Sequence, residues 1–275
     1  SATRVMNAGL ACPDWPLCYG VLVPQKQMNL QVFLEWFHRL TASSMGLFTI
    51  ALVALCWWYR RELPRWAPWT AALALCLVVF QGLLGGLTVT ELLRFDIVTA
   101  HLGTALLFFM TLLAMGVALR PYQPLGTAGN LPWMGLVAAI LVYAQSILGA
   151  LVGSQWALHQ CLSDSQLCTV MNHHIIGIFP ATLATIALVI WVWRTPTLHP
   201  TLRQVASVAG GWVVFQILLG VATFKLRLQV EPLTISHQAI GALLLGSLVT
   251  FTVLAFRDSR QPVALPDVKT TITAS

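Results

Sequence analysis

Two stretches decide the fold: HRLTASSMGLFTIALV, residues 38–53, and HIIGIFPATLATIALV, residues 174–189, lie 136 residues apart. Both open on a histidine and close on IALV, and between these ends the residues are mostly apolar or small, as in a helix that crosses a bilayer. The same offset of 136 carries His101 of VTAHLGTALL onto His237 of TISHQAIGAL, and VFQGLLG at 79–85 matches VFQILLG at 214–220 with one residue of slippage. The chain therefore reads as two copies of one helical unit.

Composition sets the environment. With 57% hydrophobic and 9% charged residues and a mean hydropathy of +0.78, the chain lies far from a soluble globular domain. Runs long enough to cross a hydrocarbon core of about 30 Å predict seven helices, near 36–59, 67–90, 97–119, 131–153, 172–193, 205–224 and 236–256. The 11 Trp suit the membrane interfaces, and the formal charge of +6 describes topology rather than nucleic-acid binding. If residues 1–35 lie outside, nine basic residues fall on the inner side and six on the outer.

The fold class expected is all-α, a polytopic transmembrane protein of two pseudo-symmetric four-helix bundles. Residues 1–120 form the first half, 121–130 (PYQPLGTAGN) a linker, 131–257 the second half and 258–275 a flexible tail. In the second half a helix precedes the cysteine loop. By symmetry a further helix is expected before Ser1, as if the chain were cut from a longer one.

Cys12 and Cys18 share one loop and Cys161 and Cys168 another, both on the less basic side, where disulfides persist. Two local disulfides are expected; unpaired thiols and a zinc site are the alternatives. Cys56 and Cys76 lie in apolar helices as packing residues.

In an alternating topology His38, His101, His174 and His237 each sit in the early turns of a helix that starts at the outer face. A polar group at that depth needs a partner or a cavity. Two histidines per bundle, on different helices at one depth, form the arrangement that clamps a haem iron from both faces. A set of histidines bonded only to backbone or water is the alternative, and recurrence at one offset argues against it. His159 and His199 fall in loops. His173 neighbours His174 but points about 100° away, and the repeat selects His174.

The halves differ beside the first histidine. At the same offset Glu35 maps to Met171 and Arg39 to Ile175. Glu35 and His38 share a helix face, so the carboxylate could move a proton or stabilise positive charge beside a haem, while Arg39 could contact a propionate.

GLACPDWPLCYG, followed by EWFHR and a second histidine helix, all echoed in the second half, resembles the haem A synthase family of bacteria and mitochondria. That resemblance implies eight helices in two bundles, a role in cytochrome oxidase assembly, and oxidation of the C8 methyl of haem O to a formyl group with haem b as redox cofactor. It makes Glu35 the catalytic carboxylate, His38 and His101 the ligands of the substrate haem, and His174 and His237 the ligands of haem b. It further implies a bacterial plasma membrane or related energy-transducing membrane, with haem O synthase and an electron acceptor as partners, and leaves the oligomeric state open. The alternatives are a dihaem b-type electron-transfer cytochrome and a haem carrier.

Overall fold

The computed structural model describes residues 2–154 and 166–260. A short helix α1 (Ala2–Val5) and a 3-10 turn (Gln25–Gln27) precede seven long helices: α2 (Leu30–Trp58), α3 (Ala67–Thr90), α4 (Phe95–Leu119), α5 (Leu131–Ser154), α6 (Gln166–Trp193), α7 (Pro200–Lys225) and α8 (Glu231–Ser259). All seven are long and apolar enough to cross a membrane, and no strand occurs among the described residues. The protein is an integral membrane protein.

Several helices begin earlier than hydropathy indicates, because a cap or an N-terminal proline, rather than the onset of the long apolar run, sets the first turn. α2 starts at Leu30, where the Asn29 side chain accepts the Val32 N–H at 3.0 Å as an N-cap. α8 starts at Glu231 with Pro232 in its first turn, a position that needs no backbone donor.

α5 to α8 close into a ring, each helix packing on its neighbours and α8 on α5. α2, α3 and α4 form a row, and α4 joins the two halves by packing on α5 and α8. α8 is the central helix: half of its apolar window is buried, against 11% for α2. Its Leu244, Leu245, Leu248, Phe251 and Ala255 enter one core with Leu188, Leu202 and Ala206. Most of the remaining apolar surface is lipid-facing, as in a bilayer where burial adds little driving force and close packing holds helices together.

The repeat is visible in the turns. α3 ends with Leu92 and Leu93 both left-handed (φ 52° and 60°), and α7 ends with Arg227 and Leu228 in the same conformation (φ 51° and 60°). Leu93 N–H reaches back to Thr88 O at 2.8 Å, and Leu228 N–H to Thr223 O at 2.9 Å. Thr88 and Thr223 hydroxyls donate to Gly85 O and Gly220 O. Consecutive left-handed residues without glycine are strained. Two copies of the strained turn set the spacing between each VFQxLLG segment and the histidine that follows. The slippage of one residue falls here, between Leu228 and Glu231.

The linker is tied down at its far end. Asp258, fully buried near the end of α8, accepts the N–H groups of Leu125, Thr127 and Ala128 at 2.7–2.9 Å. It also accepts the Thr127 and Tyr122 hydroxyls. Burial pushes the Tyr122 phenol above its ordinary range, so it stays a neutral donor. The bundle thus extends through Asp258 and Ser259, two residues past the expected boundary at 257, because Asp258 is a buried anchor rather than a solvated tail residue. The rest of the tail lies outside the described residues.

Candidate functional site

His38 and His174 each fall eight residues after the first residue of their helices, and His101 and His237 each fall six after theirs. At about 1.5 Å per residue the four imidazoles sit about 9–12 Å along their helices, at one end of the molecule. His38 and His101 rings stand 6.3 Å apart, centre to centre, at 80°. A metal ion bonded at about 2 Å to one nitrogen of each imidazole needs ring centres roughly 6 Å apart, and the spacing of this pair matches that requirement. His173, next in sequence, is exposed.

Three of the four histidines share a local setting that the sequence reading did not assign. A glutamine amide from the preceding helix lies against each ring: Gln81 on His101 at 3.3 Å, Gln145 on His174 at 3.0 Å, and Gln216 on His237 at 3.4 Å. Gln145 also donates to the His174 carbonyl at 2.7 Å. A glycine one turn further along leaves room for each ring. A Cβ at Gly85, Gly149 or Gly220 would lie 3.3, 3.0 or 3.1 Å from Cε1 of His101, His174 or His237. Gln81 and Gly85, and Gln216 and Gly220, are the Q and final G of the repeated VFQxLLG, which was the available signal. His101 Nδ1, His237 Nδ1 and the three glutamine Oε1 atoms are buried without a hydrogen-bond partner among the described residues. Polar atoms left bare in a membrane interior are costly. A haem iron would satisfy such nitrogens: His38 and His101, whose rings stand at a metal-binding spacing, could hold one in the first half, and His174 with His237 are the candidates in the second. No group of three or more metal-ligating side chains occurs among the described residues; an iron already held by a porphyrin needs only two.

Glu35 lies one turn before His38 and is 4% exposed. Its Oε2 accepts the Cys12 N–H at 2.9 Å, and its Oε1 meets Arg39 Nη2 at 2.5 Å. Arg39 then donates to the carbonyls of Cys12 (3.4 Å), Asp14 (2.6 Å) and Leu17. The guanidinium is therefore committed to Glu35 and the cysteine loop, where sequence reading pointed it at a propionate. Met171, the counterpart of Glu35, is buried as well, so the two halves differ in chemistry at one shared position.

The loop is closed by a Cys12–Cys18 disulfide with both sulfur-bearing residues buried. Asp14 accepts the Tyr19 and Gly20 N–H groups at 2.6 and 2.8 Å; the Gly20 N–H above all holds its carboxyl below the ordinary range. Trp15 lies on Gly86 of α3, where a Cβ would come within 3.2 Å of the indole. The Cys12 N–H thus reaches Glu35 from a loop fixed at several points. Cys161, and with it the expected second disulfide, lies outside the described residues, as does His159. Cys56 packs against Ala67, Ala71 and Met115 as expected, whereas Cys76 is exposed on α3 and is not the packing residue its apolar helix suggested. His199 is in a loop against Tyr122 and caps α7 through its Nδ1.

Comparisons with known proteins place the chain in a family. The family profile described as COX15-CtaA, cytochrome oxidase assembly protein, matches residues 1–249. The haem A synthase of Shewanella oneidensis is 25% identical, the alignment covering 94% of this chain and 91% of that protein. That of Caulobacter vibrioides is 27% identical over 91% of this chain and 89% of its own length, and that of Bacillus licheniformis 24% over 93% and 89%.

Proposed function

The chain belongs to the COX15-CtaA family of cytochrome oxidase assembly proteins, and from that premise we propose that it is a haem A synthase, an oxidoreductase that converts the C8 methyl of haem O to a formyl group. The relatives that match over most of their length carry that name. The observation that carries the residue-level reading is the pair of imidazoles at 6.3 Å with a buried carboxylate one turn away in the first half alone.

In this reading His38 and His101 hold the substrate haem O, and Glu35 is the catalytic carboxylate. Each of its oxygens keeps a lone pair beyond those used by Arg39 and Cys12, which can accept a proton from the methyl group and then from the alcohol. Its negative charge stabilises positive charge developing at the ring edge. Arg39 and the Cys12 N–H are positioning groups that fix the carboxylate's rotamer. His174 and His237 hold haem b, oriented by Gln145 and Gln216; when bound, haem b supplies one-electron redox chemistry. With water supplying the oxygen atom, methyl to formyl releases four protons and four electrons, so an electron acceptor is required as partner. The site end faces the outer side of a bacterial plasma membrane.

The test is to express the chain with and without a source of haem O and to identify the extracted haems by mass. The account predicts haem A and haem b in its presence. Unchanged haem O would mark a carrier, and two equivalents of haem b with no response to haem O a dihaem electron-transfer cytochrome.

A further inference from the structure

Arg39 has no counterpart in the second half, where its position is Ile175, yet a cation reaches that bundle from elsewhere in the chain. α1 packs on α2 and also on α8. Its Arg4 lies against Gly153 of α5: a Cβ there would stand 2.8 Å from Arg4 Nη2 and 3.2 Å from Cζ. One turn earlier on the same face of α5 is Gly149, where a Cβ would stand 3.0 Å from the His174 ring. Residues four apart share a helix face and lie about 6 Å apart along the axis. The guanidinium is therefore about one turn beyond the His174 imidazole, toward the rim of the bundle.

Arg4 Nη2 is buried and has no hydrogen-bond partner among the described residues, and none of the ion pairs there involves Arg4. A guanidinium cannot shed its proton, and one with a buried, unpaired nitrogen is costly until an anion meets it. A haem is an apolar disc with two carboxylates on one edge, and a planar guanidinium is matched to a carboxylate in shape and charge. We propose that Arg4, set one turn beyond His174 along the glycine face of α5, binds a propionate of the haem held by His174 and His237. This rests on the haem reading of the second bundle. It gives the N-terminal segment a part in the cofactor site of the opposite half, a contact that the repeat alone does not foretell.

The test uses the purified protein carrying its haem b, with Arg4→Met, Arg4→Lys and His174→Ala beside the wild type. Haem b loss to excess apomyoglobin is followed by absorbance, and the midpoint potential by redox titration. A charge-assisted contact of this kind corresponds to roughly ten- to a hundredfold in the rate of haem loss. Arg4→Met should lose haem faster by that factor and titrate at a lower potential, because a nearby cation favours the reduced haem; Arg4→Lys should lie between. Unchanged loss rate and potential in Arg4→Met, with pigment still dependent on His174, would overturn the propionate assignment alone. Pigment that survives His174→Ala would instead overturn the haem reading beneath it. Melting of the haem-free proteins is the folding control: without its anion the buried cation is a liability, so haem-free Arg4→Met should melt no lower than haem-free wild type. A lower melting point would make Arg4 a structural residue and overturn the proposal.

Discussion

Replacing Arg39 with Ala should release the cysteine loop and the carboxylate together. The pair is well screened from water, with side-chain exposures of 14% for Arg39 and 5% for Glu35, so the low values typical of surface ion pairs, about 0–1 kcal/mol, do not apply. Removing one partner of a buried pair costs about 3–5 kcal/mol, because the other charge remains buried. Here the same substitution also removes the donor to the Cys12, Asp14 and Leu17 carbonyls. If that free energy belongs to local opening of the loop, at about 1.4 kcal/mol per tenfold the open population rises by at least about a hundredfold. Cys12 and Cys18 are 0% and 2% exposed, so opening can be read as the rate at which a mild reductant and an alkylating agent label them, followed by intact mass. Arg39→Ala should label at least about a hundredfold faster than wild type, with Arg39→Lys between the two. A rate within about threefold of wild type would refute the clasp, and with it the argument that the loop sets the geometry of Glu35.

Gly149→Ala and Gly220→Ala should weaken haem b retention, since each adds a methyl 3.0–3.1 Å from an imidazole, whereas Gly46→Ala, with nothing within 4 Å, should not; haem content per protein after detergent purification checks this. Asp258→Ala strips a buried acceptor from three backbone N–H groups, each worth about 1.5–3 kcal/mol against a charge, and should expose 121–130 to proteolysis. Because the Asp14 carboxyl is depressed in the folded loop, its contribution is complete above the ordinary aspartate range and lost as pH falls through the lower folded value. Disulfide labelling should therefore stay slow at neutral pH and accelerate only in acid, and Asp14→Asn should remove that dependence.

The long helices and the histidines were legible because hydropathy over some twenty residues and a repeat at one offset are both written directly in the chain. Helix starts at Leu30 and Glu231 were not, since they are set by the Asn29 cap and by a proline in the first turn of α8, neither of which registers in an apolar window. Gln81 and Gln216 stood inside the repeated VFQxLLG and could have been read from it, whereas Gln145 lies outside that repeat. The direction of Arg39 depends on where a loop of twenty-odd residues folds back, which no local pattern encodes; a cation beside a haem ligand points equally well at a propionate. Arg4 and Asp258 were illegible for a related reason: each is an isolated charge near an end of the chain whose burial comes from packing against helices far away in sequence.

The claim that most needs testing is that the first bundle performs chemistry on a haem held beside Glu35. Glu35→Gln keeps the shape of the side chain and its acceptor for the Cys12 N–H while removing the charge. Expressed with a source of haem O, and with its haems extracted, separated and weighed, this variant should contain haem O and haem b and little or no haem A. A wild-type yield of haem A from Glu35→Gln would contradict the account.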